Sequence, residues 1–172
     1  MRRLGTMFGT VAMLMFVAGV FAQGKDFSGT WTVDADKTAA ANPAAPAGGG
    51  GGGGRAGGGG GGGRGGGGPM TIAMDAKSLK ITTTGPNGDT VATYALDGTV
   101  SKNAGGRGGE TETKCSWDGS KLKMDTTSQG QNGPQTTTAW YYLDSGSLVR
   151  EQAIAARGDV PASTRKTIYK KG

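Results

Sequence analysis

Three residues near the C-terminus carry the chemistry most worth following: Arg150, Arg165 and Tyr169. Arg165, Thr167 and Tyr169 stand at alternate positions, so on an extended strand they share one face. If that face is enclosed and Arg150 joins it, the result is a buried cationic site. Such a site is costly to leave unpaired, and a carboxylate or other acidic head group would neutralise it through charge-assisted hydrogen bonds. Tyr94, Trp140 and Tyr142 are the aromatic side chains expected to line the same interior. Catalysis is a poorer fit. The chain has no His and a single Cys, Cys115, so metal sites of the usual patterns and His-based triads or dyads lack their parts. A Lys or carboxylate could serve as base beside a Ser or Cys, but no spacing singles one out. No catalytic residue, metal site or cofactor is therefore expected, and the function class indicated is binding.

The elements that would position these residues are strands. From Phe27 onward, Thr, Val, Ile, Tyr and Trp recur in short runs divided by Gly, Asn, Asp and Ser, which is an all-β signature. The runs are 27–34, 70–76, 79–85, 90–97, 99–103, 110–117, 121–129, 136–144, 147–156 and 163–171, ten in all. Pro86-Asn87-Gly88-Asp89, Leu96-Asp97-Gly98, Trp117-Asp118-Gly119-Ser120 and Asp144-Ser145-Gly146-Ser147 supply the positive backbone angles of tight antiparallel turns. Strands so linked make an up-and-down meander, and closing it into a barrel removes the two exposed edges.

Alternation sorts the side chains. Thr111, Thr113, Cys115 and Trp117 face inward, as do Leu122, Met124 and Thr126, whereas Glu110, Glu112, Lys114, Lys121 and Lys123 face water. Ile72 and Met74, then Leu79, Ile81 and Thr83, then Ala92, Tyr94 and Leu96 continue the inner wall. In the eighth strand Thr138, Trp140 and Tyr142 are chosen as inward, although Tyr141 and Leu143 compete for that face, since a slip of one residue exchanges the two sets.

The N-terminal stretch has a different grammar. Arg2 and Arg3 precede an apolar run from Met7 to Phe21 that ends in Val20-Phe21-Ala22, the pattern of a cleavable signal peptide over residues 1–22. The protein is thus expected to be exported, periplasmic or extracellular, with no stable membrane insertion after cleavage. In an oxidising compartment Cys115 has no partner within the chain and reads as a small buried apolar residue. Removing Arg2 and Arg3 lowers the formal charge from +6 to +4. No basic block remains to follow a phosphate backbone, and no nucleic-acid partner is expected.

Of the 36 glycines, 18 lie between Gly48 and Gly68. This tract has neither the strict third-residue period and abundant proline of collagen nor the Lys and Ser/Thr of a phosphate-binding loop. The domain plan is therefore a first barrel strand within 23–38, a disordered Gly/Ala/Pro-rich loop over 39–69, and the rest of the barrel over 70–172.

Phe27-x-Gly29-x-Trp31 at the head of a meander, the turns at Asp97-Gly98 and Trp117-Asp118-Gly119, and the ending Arg165-Lys166-Thr167-Ile168-Tyr169-Lys170-Lys171 resemble the calycin superfamily. The chain is similar to lipocalins, to intracellular fatty-acid-binding proteins in strand count and turn rhythm, and more closely to small exported lipocalin-like proteins of environmental bacteria. The resemblance implies a role for Trp31, with Gly29, as a plug at one barrel end, capped by Arg165 or Lys166. It also implies a carboxylate site on the last strand that keeps Tyr169. Thr167 stands where the paired Arg would be, which leaves Arg165 and Arg150 as candidates, and the Gly-rich tract replaces the helical lid.

Two functions follow. In the first, the barrel binds a small apolar or amphipathic ligand, with the carboxylate as an optional feature. In the second, Trp, Tyr, Leu and Met fill the lumen, Arg150 pairs with an outer Glu, and the protein is a structural or interaction module of the envelope whose protein partner the sequence does not name.

Overall fold

The computed structural model describes residues 26–43, 69–86, 88–105, 109–130, 133–156 and 161–172. The expected signal segment 1–22 and the glycine tract within 44–68 lie outside the described residues. The remainder forms ten strands: β1 Gly29–Val33, β2 Met70–Met74, β3 Ser78–Gly85, β4 Gly88–Ala95, β5 Val100–Ala104, β6 Glu110–Asp118, β7 Lys121–Gly130, β8 Gly133–Asp144, β9 Ser147–Ile154 and β10 Ser163–Lys171. The tight hairpin between β8 and β9 turns on Ser145 and Gly146, at φ 48° and 79°. Both angles have the sign that matches the twist of the flanking strands.

All ten strands belong to one antiparallel sheet in the order β4-β3-β2-β1-β10-β9-β8-β7-β6-β5. The meander thus closes by pairing its first strand with its last: Trp31 lies opposite Lys171 and Val33 opposite Tyr169. The remaining seam, between β4 and β5, carries side-chain bonds in place of a strand ladder. The Thr93 N–H donates to Asn103 Oδ1 at 2.8 Å, Asn103 Nδ2 donates to the Thr93 carbonyl at 3.0 Å, and the Ala95 N–H donates to Ser101 Oγ at 2.7 Å. The result is an all-β barrel, nearly closed.

The pleat puts the expected residues inside on β2, β3, β6 and β7: Ile72, Leu79, Ile81, Thr113, Cys115, Leu122 and Met124 are all buried. On β8 the other face wins. Ala139 is buried and Tyr141 and Leu143 pack on the core, opposite Gln152, Arg150 and Leu148 of β9. Trp140 and Tyr142 therefore face outward, correcting the inward assignment. The reason is cross-strand pairing: Leu122 of β7 fixes Tyr141 as its neighbour, and strand alternation then carries Trp140 and Tyr142 outside.

One element was not expected. The first strand ends at Val33, and Ala35–Ala41 forms a short helix, α1, where the sequence pointed to strand and then loop. Asp34 caps it, its carboxylate accepting the Lys37 N–H at 3.1 Å, and the Ala-rich turn needs little else. The helix also extends the β1 seam. Thr38 Oγ1 accepts the Ile168 N–H at 2.9 Å, while Asn42 accepts from Lys166 N–H at 2.8 Å and donates to the Lys166 carbonyl at 2.6 Å.

Candidate functional site

One end of the barrel is sealed by apolar side chains. Phe27, Leu122 and Leu148 are fully buried there with Trp31, whose indole N–H donates to the Phe27 carbonyl at 2.8 Å. Phe27 meets Trp117 at 5.9 Å between ring centroids. Gly29 makes the approach possible. Its φ of 137° disfavours any side chain, and a Cβ there would sit 3.2 Å from Lys171 Cε. Lys171 places its ammonium 6.0 Å from the Trp31 ring. Trp31 is thus the buried floor, and its cationic neighbour is Lys171, not Arg165 or Lys166. The register explains the difference, since Lys171 is the β10 residue opposite Trp31. Lys166 faces outward, 4.0 Å from Glu151.

Above the floor lies the one interior guanidinium among the described residues. Arg150 is opposite Tyr141 on β8 and Thr167 on β10, and shares their inner face. Attraction to Tyr141 holds its pKa above the ordinary arginine range, against the opposing effect of burial, and Tyr169 and Tyr94 add to it. Burial pushes the Tyr94 and Tyr169 hydroxyls up to about 12. At neutral pH the cluster therefore holds one fixed positive charge beside the protonated Tyr94 and Tyr169 phenols. Among the described residues, no carboxylate pairs with Arg150; the ion pairs all involve Lys37, Lys102, Lys123 and Lys166.

Toward the other end the inner wall turns polar. One rung above Arg150 stand Gln152, Ala139, Met124 and Cys115, then Thr137, Thr126 and Thr113, then Gln135, Ser128 and Thr111. Thr113 and Thr126 bond each other at 3.0 Å. Thr137, Ser128, Thr167 and Gln152 have no side-chain hydrogen bond within the described residues, yet no side-chain nitrogen or oxygen sealed from solvent lacks a partner there. These groups must therefore touch water, and the polar half of the barrel is open to it.

The expected site residues divide accordingly. Arg150, Tyr169 and Tyr94 come together inside. Arg165 keeps the inner register but is exposed near the open end, across from Gln152. Trp140 lies outside opposite Glu151, and Tyr142 outside donates to Glu151 Oε2 at 3.0 Å beneath the Lys121 ammonium, 4.4 Å from its ring. Tyr141, on the competing face of β8, is the aromatic that meets Arg150. A separate depression of ≈ 390 Å³ lies at the rim of β8 to β10, lined by Thr136, Thr138, Ala153, Ile154, Ser163 and Thr164 among others. It does not include the Arg150 cluster.

No protein-family model matches the chain, and no curated protein matches it in sequence. Solved structures do match in shape. A REP1-NXSQ fatty acid transporter is 16% identical, with 86% of this chain and 96% of that one covered, at a TM-score of 0.53. A secretary abundant heat soluble (SAHS) protein from Ramazzottius varieornatus is 18% identical over 87% and 97%, at 0.53. A point mutant of the fluorescent protein UnaG is 19% identical over 85% and 96%, at 0.50. With the meander order and the first-to-last strand closure, these matches show that the chain shares the fold of these proteins, here a ten-stranded antiparallel meander nearly closed into a barrel.

Proposed function

We propose that the protein is an exported, non-enzymatic barrel that holds a small acidic or amphipathic molecule in its lumen, with the anionic group on Arg150. The observation that carries this is an interior guanidinium ringed by Tyr94, Tyr141 and Tyr169 with no carboxylate partner among the described residues. A cation so placed gains most from an anion delivered through the open end. The similarity to a fatty acid transporter supports a ligand-binding use of this fold, and the signal grammar of residues 1–22 supports export.

The test is titration with an anionic fluorescent probe, 1-anilinonaphthalene-8-sulfonate, followed by its displacement with carboxylates. Arg150→Gln is expected to weaken probe binding at least tenfold, about 1.4 kcal/mol, while the outer substitution Tyr142→Phe leaves it unchanged. Equal binding by wild type and Arg150→Gln would return the barrel to the alternative reading, a structural module. N-terminal sequencing of the secreted protein tests cleavage after Ala22.

A further inference from the structure

We infer that the ligand is a hydroxylated aromatic acid and not a long-chain fatty acid; the inference rests on Arg150 as the seat of the anion. Two features of the lumen lead there. Below and beside Arg150 the space is taken: Leu148 and Leu143 form the next rung toward the turn, Leu122 and Trp117 continue Arg150's own rung across the sheet, and Trp31 and Phe27 are buried at the end. An alkyl chain anchored at Arg150 cannot run toward the floor without displacing it.

Above Arg150 the β6–β9 wall is of the wrong kind for an alkyl chain. Beyond the rung of Gln152, Ala139, Met124 and Cys115 it presents Thr137, Thr126 and Thr113, then Gln135, Ser128 and Thr111. A methylene chain laid against it would strip water from hydroxyls and amides and return no hydrogen bond, which is unfavourable. The same groups suit ring hydroxyls: Thr137, Ser128, Thr167 and Gln152 have no side-chain partner within the described residues. The Tyr94, Tyr141 and Tyr169 rings around the guanidinium, with Met70 and Ile81 buried on the β2–β3 side, provide apolar faces for a planar ring. Along β8 this wall runs six residues from Tyr141, opposite Arg150, to Gln135, about 20 Å of strand, so its polarity and not its length is what selects against an alkyl chain.

Calorimetric titration of the full chain with 3,4-dihydroxycinnamate, cinnamate and hexadecanoate decides the matter. The expected order is dihydroxycinnamate at least tenfold tighter than either of the others, with binding lost in Arg150→Gln. The near-isosteric double substitution Thr137→Val with Thr167→Val should cost dihydroxycinnamate severalfold and improve hexadecanoate, with an unchanged circular dichroism spectrum as the control for folding. If hexadecanoate binds more tightly in wild type and still depends on Arg150, the anion seat stands and the hydroxylated-acid inference is overturned. If no acid binds, or if Arg150→Gln changes nothing, the proposed function falls and this inference with it.

Discussion

The Asn103 carboxamide holds both backbone groups of Thr93, accepting its N–H at 2.8 Å and donating to its carbonyl at 3.0 Å. Asn42 does the same to Lys166 at the seam between α1 and β10. At both places a side chain stands in for the neighbouring strand, so the barrel closes without a continuous ladder. Asn103→Ala should cost about 1 kcal/mol, because the freed groups are exposed and water can take them. The local effect should be larger. Hydrogen exchange at Thr93 and Ala95 is expected to speed up at least tenfold while exchange at β6–β9 amides follows global stability, and equal acceleration everywhere would deny the seam its separate character.

Gly29 should resist substitution more than its partial exposure suggests. At φ 137° a side chain is strained, and the Lys171 Cε atom lies 3.2 Å from where a Cβ would sit. The lysine can move aside, so the backbone angle decides the sign. Gly29→Ala is expected to destabilise by about 1–3 kcal/mol, measured by urea unfolding. Lys171→Ala, which removes only an exposed cation 6.0 Å from the Trp31 ring, should cost under about 1 kcal/mol.

Alkali should unfold the barrel earlier than acid chemistry alone would suggest. Burial pushes Tyr94 and Tyr169 up to about 12 from 10.0, and burial with a smaller contribution from Asp125 pushes Cys115 up to about 11 from 9.0. Each group keeps its proton more firmly when folded. The unfolded chain therefore binds fewer protons between these limits, and stability falls as pH rises. The contribution is whole below pH 9 for Cys115 and below 10 for the tyrosines, and is lost through about 11 and 12. Urea midpoints should decline steadily from pH 9 to 12. A flat profile across that window would show the three groups to be solvated.

Strand count and turns were legible from sequence because period-two patterning and Asp-Gly or Ser-Gly turns are local signals. The β8 face was not, since Trp140-Tyr141-Tyr142-Leu143 is apolar on both sides and only pairing with Leu122 and Leu148 settles it. The helix carries a local signal, Asp34 three residues before Lys37 followed by an Ala-rich turn. At seven residues that signal is short beside the Gly/Ala/Pro-rich composition that follows it. Alternation put Tyr169 on one face with Thr167 and Arg165, but whether Arg150 joined them depended on the pairing of β9 with β10, which sets Arg150 opposite Thr167. The exposure of Arg165 near the rim could not be read from alternation, because parity fixes a face and says nothing of depth.

The inside-outside division of β8 gives the sharpest separation of binding from stability. Tyr141 faces Arg150 across the β8–β9 ladder, and its hydroxyl supports the guanidinium. Tyr141→Phe keeps the ring and removes only that oxygen, so stability should change by no more than about 1 kcal/mol. Anion affinity should shift by about threefold to tenfold, because the positioning of Arg150 changes. Tyr142→Phe, one residue along, removes a bond to Glu151 at 3.0 Å on the outer wall. It should cost a similar amount of stability and leave anion affinity untouched. Parallel probe titrations of the two variants at matched folded fraction compare them directly. A binding loss in Tyr142→Phe equal to that in Tyr141→Phe would place the anion outside the barrel.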